Sequence, residues 1–108
     1  MKTGDIILIP FPFAEIAHTK VRPALVVAVT KDKYKDLIVC AISSVVPAKL
    51  SENEMLLPPH PVNKLRVPSV LKVDRIVTLK RKDVIHSLGK LNVNELKKFK
   101  AIFCKLVD

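Results

Sequence analysis

The stretch GDIILIPFPFAEIAHTKVRPALVVAV, running from Gly4 to Val29, decides how the chain reads. Two apolar runs rich in β-branched residues, 6–9 and 24–30, have strand character, and prolines and polar or charged groups separate them. Pro10 and Pro12 end the first run, because proline cannot donate to a β-ladder. Residues 11–21 then form a loop. Arg22 stands directly before Pro23, at the mouth of the second run. The backbone anchors such an Arg while its guanidinium reaches toward the loop. That suits a phosphate ligand, since Arg is always charged and presents a planar fork of donors. The alternative is an Arg that caps a strand end in solvent.

Working outward, residues 31–36 (KDKYKD) read as a charged turn, and residues 37–42 (LIVCAI) as a third strand suited to the centre of a sheet. Residues 47–54 are polar loop and residues 55–57 a short strand. Leu57-Pro58-Pro59-His60-Pro61 is an extended linker that no regular element accommodates. Residues 70–73 and 76–79 read as two short strands or one bent one, with Asp74 and Arg75 between them, and residues 82–85 as a helical turn. The last segment is a helix. Asn92 caps it, Glu95 completes a capping box, and Val93, Leu96, Phe99, Phe103, Leu106 and Val107 fall on one stripe at helical spacing. Lys97, Lys98, Lys100 and Lys105 take the remaining faces, which makes the helix a lid rather than a reader of nucleic acid. Several strands and one terminal helix imply a small, mostly antiparallel barrel.

A length of 108 residues suits one domain, 1–108, with a modest core that dimerisation would enlarge. Hydrophobic residues make up 49% of the chain, which is globular composition. No apolar run approaches the roughly 18 residues of a membrane span. The N-terminus, MKTGDIILIP, lacks the pattern of a secretory signal, so a cytoplasmic location is expected. The net charge of +9, from 19 Lys and Arg against 10 Asp and Glu, favours a polyanionic partner: RNA, DNA, an anionic membrane or an acidic protein segment. Of the 19 cations 15 are Lys, and Lys-rich surfaces also serve solubility and heat tolerance, so charge supports a nucleic-acid partner without proving it. Cys40 and Cys104 lack CxxC spacing and read as small buried hydrophobes; a disulfide between them is disfavoured without an export signal. His18, His60 and His86 show no metal-ligand spacing, so neither metal nor cofactor is expected.

Gly4-Asp5-Ile6, Pro10-Phe11-Pro12-Phe13 and Lys20-Val21-Arg22-Pro23-Ala24-Leu25-Val26-Val27 together resemble the start of the MazF/PemK family of toxin endoribonucleases. Ala41-Ile42-Ser43-Ser44, Ser69-Val70-Leu71-Lys72-Val73-Asp74, Ile76-Val77-Thr78-Leu79 and Leu88-Gly89-Lys90-Leu91 follow in the same order. The resemblance covers nearly the whole chain and is weakest over residues 45–68. It implies the compact SH3-like antiparallel barrel of the MazF/PemK/CcdB-like fold, usually a homodimer. It also implies metal-independent cutting of single-stranded RNA to 2′,3′-cyclic phosphate and 5′-hydroxyl ends. Finally, it implies an antitoxin whose acidic or apolar tail occupies the same basic cleft.

RNA carries its own nucleophile, the 2′-hydroxyl, which DNA lacks. A metal-free ribonuclease needs a base for the 2′ proton, a cation for the pentavalent phosphorane and an acid for the leaving 5′ oxygen. By the resemblance, Arg22 is catalytic; phosphorane stabilisation suits a guanidinium better than proton transfer does. Ser43 matches a Thr or Ser that contacts the scissile phosphate, the alternative being a strand-end Ser bonded to its own backbone. Asp74 matches an acidic residue used as a base in some PemK-type members, and Lys72 falls where those members carry an Arg. At a spacing of two the pair shares one strand face, and a plain ion pair is the alternative. Glu15, His18, Thr19 and Lys20 in the first loop, with Ser44, are further candidates for RNA contact; imidazole suits acid–base work near neutrality. Phe11 is a candidate for stacking on a base, although such rings more often pack under their own loop. His60 and His86 read as structural. The same scaffold occurs in gyrase-poisoning toxins, and Lys72 departs from the Arg pattern. An inactive nucleic-acid- or protein-binding module, or an antitoxin-bound remnant, is therefore the alternative function.

Overall fold

The computed structural model describes residues 1–10 and 21–107. Within them lie β1 (Asp5–Pro10), β2 (Val21–Val29), β3 (Leu37–Ser43), β4 (Glu54–Leu57), β5 (Ser69–Leu79), β6 (His86–Lys90) and α1 (Val93–Val107). The strands form one sheet in the order β4-β5-β3-β2-β1-β6, every pair antiparallel, and the sheet curls into a half-barrel. This is the mainly β architecture with a terminal helix that the sequence predicts, and β3 takes its place in the interior of the sheet.

The strands are apolar at successive positions because both sheet faces are buried. Ile6, Leu25, Cys40, Ile42, Leu71 and Val73 point to one core, where Phe99 of α1 and the half-buried Leu96, Ile102, Phe103 and Leu106 cover them. Ile7, Ile9, Ala24, Val26, Leu37 and Val39 point to a second core that Val29, Val77, Leu79 and Val84 complete. A fully buried side chain of this size contributes about 1.5–3 kcal/mol, so the two cores dominate the energetics of the fold. The capping box forms as predicted: Asn92 Oδ1 accepts from the Glu95 N–H at 2.8 Å, and Glu95 Oε1 accepts from the Asn92 N–H at 3.0 Å.

Five expectations need correction. β2 begins at Val21, the last residue expected in the loop, rather than at residue 24, because Pro10 pairs with Val21 and Ile9 with Arg22. Pro23 is tolerated there since pairing with β3 starts only at Ala24, leaving Pro23 a partner on one side alone. Residues 86–90, which carry no strand signal, form β6 at the sheet edge. Cys104 is exposed, because Ile102 and Leu106 occupy the buried stripe of α1, whereas Cys40 is buried. Val93 and Val107, at the two ends of α1, are also exposed. The predicted helical turn appears as a single 3₁₀ turn, Arg81–Asp83. No helix among the described residues is long and apolar enough to cross a membrane.

Candidate active site

The site grows out of a defect in the sheet. On β3 the neighbours Cys40 and Ala41 pair with Ile76 and Lys72 of β5, so residues 73–75 bulge out of the ladder. Val73 holds the bulge down from both sides: its N–H donates to Asn53 O at 2.9 Å, and the Cys40 thiol donates to its carbonyl at 3.3 Å. Regular alternation would send Arg75 to the face opposite Asp74. The bulge overrides that, and Lys72, Asp74, Arg75 and Ile76 all line one cavity of about 520 Å³. Its other walls are Arg22 from β2, Ala41, Ile42 and Ser43 from β3, and Val45 just beyond.

Four predicted residues, Arg22, Ser43, Lys72 and Asp74, thus meet from three strands. Arg22, Ser43 and Lys72 are half-buried and Asp74 is exposed. Ser43 Oγ accepts the Val45 N–H at 3.1 Å, which leaves the hydroxyl proton to donate elsewhere. Among the described residues none of the four makes an ion pair, so the plain Lys72–Asp74 bridge is not formed. Lys72 instead lies opposite Glu54 of β4, where its charge helps to hold the Glu54 carboxyl below its ordinary value, after the stronger effect of the Ser51 N–H. Burial pushes the Cys40 thiol beneath the bulge up to about 12, and the negative charge of Asp74 adds to that shift.

Ser44 is exposed beyond β3 and does not line the cavity. Phe11, Glu15, His18, Thr19 and Lys20 lie outside the described residues. Arg75 joins the wall without having been singled out as a site residue, and only the bulge brings it there. His60, read as structural, is so: Nδ1 accepts from the N–H groups of Val62 and Asn63, which leaves Nε2–H to donate to Glu95 Oε1 at 2.9 Å. His86 stands exposed at the start of β6. No cluster of three or more His, Cys, Asp or Glu side chains among the described residues is placed to hold a metal ion.

The family model of PemK-like, MazF-like toxins of type II toxin–antitoxin systems matches residues 2–107. The chain belongs to this family. No curated protein sequence matches the PemK/MazF-like chain. Among solved structures, an endoribonuclease from a mycobacterial species, in complex with its cognate antitoxin, superposes with a TM-score of 0.75 at 12% identity, over 99% of this chain and 94% of that one. MazF from Deinococcus radiodurans superposes with a TM-score of 0.71 at 23% identity, covering 99% and 96%. The Mycobacterium tuberculosis toxin MazF-mt6 gives 0.71 at 19%, covering 96% of each chain. At such identities the likeness is one of fold, and it matches the curled antiparallel sheet and terminal helix of the MazF-like chain.

Proposed function

We propose that this PemK/MazF-like toxin, a single domain over residues 1–108, is an endoribonuclease that cuts single-stranded RNA without a metal. The products are a 2′,3′-cyclic phosphate and a 5′-hydroxyl. The observation that carries this reading is the convergence of Arg22, Ser43, Lys72 and Asp74 on one cavity. In the reaction, Asp74 accepts the 2′ proton, the 2′ oxygen attacks phosphorus, and the bond to the 5′ oxygen breaks. The Arg22 guanidinium stabilises the phosphorane, the Ser43 hydroxyl donates to a phosphate oxygen, and the Lys72 ammonium gives a proton to the leaving oxygen. Lys suits that last step better than Arg, which surrenders its proton reluctantly. A wall of three cations and one carboxylate suits a phosphate better than a divalent ion. The exposed apolar residues of the cavity wall, Val45 and Ile76, support a homodimer or an antitoxin with an apolar or acidic tail as its cover, and the setting is the cytoplasm.

The test is purified protein with long unstructured RNA in EDTA, followed by analysis of the new ends. Wild type cleaves. Arg22→Ala loses at least about a hundredfold in rate, the scale for one lost transition-state donor, and Arg22→Lys recovers little because a point charge cannot reproduce the fork. RNA affinity and melting temperature change far less than the rate, since other cations still hold the backbone. Cleavage that requires a divalent ion, ends bearing a 3′-hydroxyl, or an Arg22→Ala variant of normal rate would overturn the reading. RNA binding without any cleavage would make the chain a binding module.

A further inference from the structure

At the far end of β3 and β5 lies a second concavity, of about 530 Å³, lined by Tyr34, Asp36, Lys80, Arg81 and Lys82. It sits between the 30–36 turn and the segment leading out of β5. Phe99 and Phe103 pack against each other and the core, whereas the Tyr34 ring is 66% exposed. The turn that carries this exposed aromatic is well ordered by hydrogen bonds. Asp32 Oδ1 accepts from the Thr30 hydroxyl at 2.9 Å and from the N–H groups of Tyr34 and Lys35 at 3.1 and 3.2 Å. Lys35 adopts a φ of 49° to close the turn, and the Asp36 N–H donates to the Thr30 hydroxyl at 2.8 Å. The turn therefore fixes the backbone that carries the ring, and the ring stands out into solvent. Lys33 Nζ lies 5.2 Å from the ring centroid, over one face.

The surroundings are cationic. Lys31, Lys33, Lys35, Lys80, Arg81 and Lys82, all exposed, outnumber Asp32, Asp36 and Asp83 in the two segments that form the groove, and Asp32 is already engaged in holding the turn. A path leads from here to the active-site cavity. Ile76 lines that cavity and Lys80 lines the groove. Ile76, Thr78 and Lys80 are all exposed, while Val77 and Leu79 turn inward to the second core. Lys80 keeps an extended backbone, with φ −80° and ψ 144°, so the alternation runs through it. The three side chains thus form one open row, about 13 Å long at ~3.3 Å per residue, a span that a few nucleotides of extended strand cross.

We propose that the Tyr34 groove is a second binding site for single-stranded RNA, an exosite that holds the strand flanking the cut. Tyr34 stacks on one base, and Lys80, Arg81 and Lys82 hold the adjacent phosphates. A basic track carrying an aromatic platform is the recognition chemistry of a single strand, sequence-tolerant because every base has a π face. An acidic peptide would use the cations and leave the ring idle. The inference rests on the reading of the chain as an RNA-cutting toxin, since it assigns the flanking strand of that same substrate.

The chain contains one tyrosine, Tyr34, and no tryptophan, so its intrinsic fluorescence reports on this ring alone. The experiment titrates the protein with a 2′-O-methyl RNA of about 12 nucleotides, within the range single-strand grooves cover, which lacks the free nucleophile and binds without being cut. Saturable quenching is expected, with affinity read in parallel by anisotropy of a labelled oligonucleotide. Tyr34→Ala weakens binding about five- to hundredfold, and Tyr34→Phe retains it. Lys80→Ala combined with Lys82→Ala lowers the salt slope by about 1.4, at ~0.7 per phosphate contact on a single strand. Unchanged affinity in Tyr34→Ala, or equal quenching by inorganic polyphosphate, overturns the exosite. Tighter binding and quenching by an acidic peptide overturns it as well and assigns the groove to a protein partner. Because the probe is uncleavable, quenching without RNA cleavage in the EDTA assay sinks the catalytic reading while the groove stands, and cleavage without quenching does the reverse.

Discussion

At Ser43 the local bond and the proposed contact with phosphate are compatible. The oxygen accepts its own strand-end N–H while the proton remains to donate, so the backbone bond orients the hydroxyl instead of consuming it. Arg22 is held by β2 itself and not by the loop before it, which fixes its Cα against β1 through Ile9. Arg22, Ser43, Lys72 and Asp74 were legible as a set only through the family resemblance, because each read alone fits a strand cap, a strand-end hydroxyl or a plain ion pair at least as well. Arg75 was not legible, since period-two alternation places it away from Asp74 and only the bulge returns it to the cavity. Cys40 gives the residue-scale test of that bulge. Its thiol rises from an ordinary 9.0 to about 12 in the fold, so the unfolded chain ionises first. The stability associated with the neutral thiol is complete below about pH 9 and is lost as pH rises toward about 12. Wild type should therefore lose stability relative to Cys40→Ala across that window, measured as urea midpoints at pH 8 and 10.5. At pH 8 a thiol reagent should label exposed Cys104 at once and Cys40 only as fast as the protein unfolds. Rapid labelling of both would mean that the thiol is not sealed under the bulge.

The elements that the sequence made readable are those whose burial is continuous. The strands at residues 6–9 and 37–42 and the capped helix stand out because both faces of the sheet and one face of the helix are covered. β6 is invisible for the opposite reason: HSLGK is an edge strand, mostly exposed, and its partner β1 lies some eighty residues away in sequence. What fixes β6 is the proline-rich connector rather than its own composition. Asn63, fully buried, donates to Pro58 O at 2.9 Å and accepts from the His60 and Leu65 N–H groups. The turn it builds meets β6 where the Lys90 N–H donates to Val62 O at 3.1 Å. A side chain at Gly89 would place Cβ 2.5 Å from Val62 O and 2.6 Å from Asn63 O, both backbone atoms that cannot swing aside. Gly89→Ala should therefore cost about 1–3 kcal/mol, as overpacking does, while the exposed neighbour substitution Ser87→Ala stays within about 0.5 kcal/mol. Chemical denaturation of the two variants checks this, and equal midpoints would show that the connector does not press on β6.

For the whole molecule, charge and apolar surface point in different directions. The net charge of +9 keeps copies apart at long range and draws in polyanions. Yet Val45 is 74% exposed and Ile76 42%, and both line the same cavity that gathers the cations. Composition announced a basic protein but not this arrangement, because the rim is assembled from two distant segments that only the curled sheet brings together. A second copy packed against Val45, on the side of the rim away from Ile76, would bury apolar surface at short range, where contact outweighs screened repulsion. A stable interface needs about 800 Å² per partner. A homodimer formed here would also deepen the cleft into a groove flanked by two sets of cations. Light scattering at tens of micromolar should give about twice 12.1 kDa in moderate salt. Val45→Asp, which sets a carboxylate on the rim, should shift the protein toward monomer without lowering its melting temperature at low concentration, because an exposed loop residue contributes little to the subunit's own core. Raising the salt should tighten the wild-type dimer by screening the like charges. A wild-type protein that stays monomeric across the concentration series, or a Val45→Asp variant as dimeric as wild type, would place the dimer contact elsewhere or remove it.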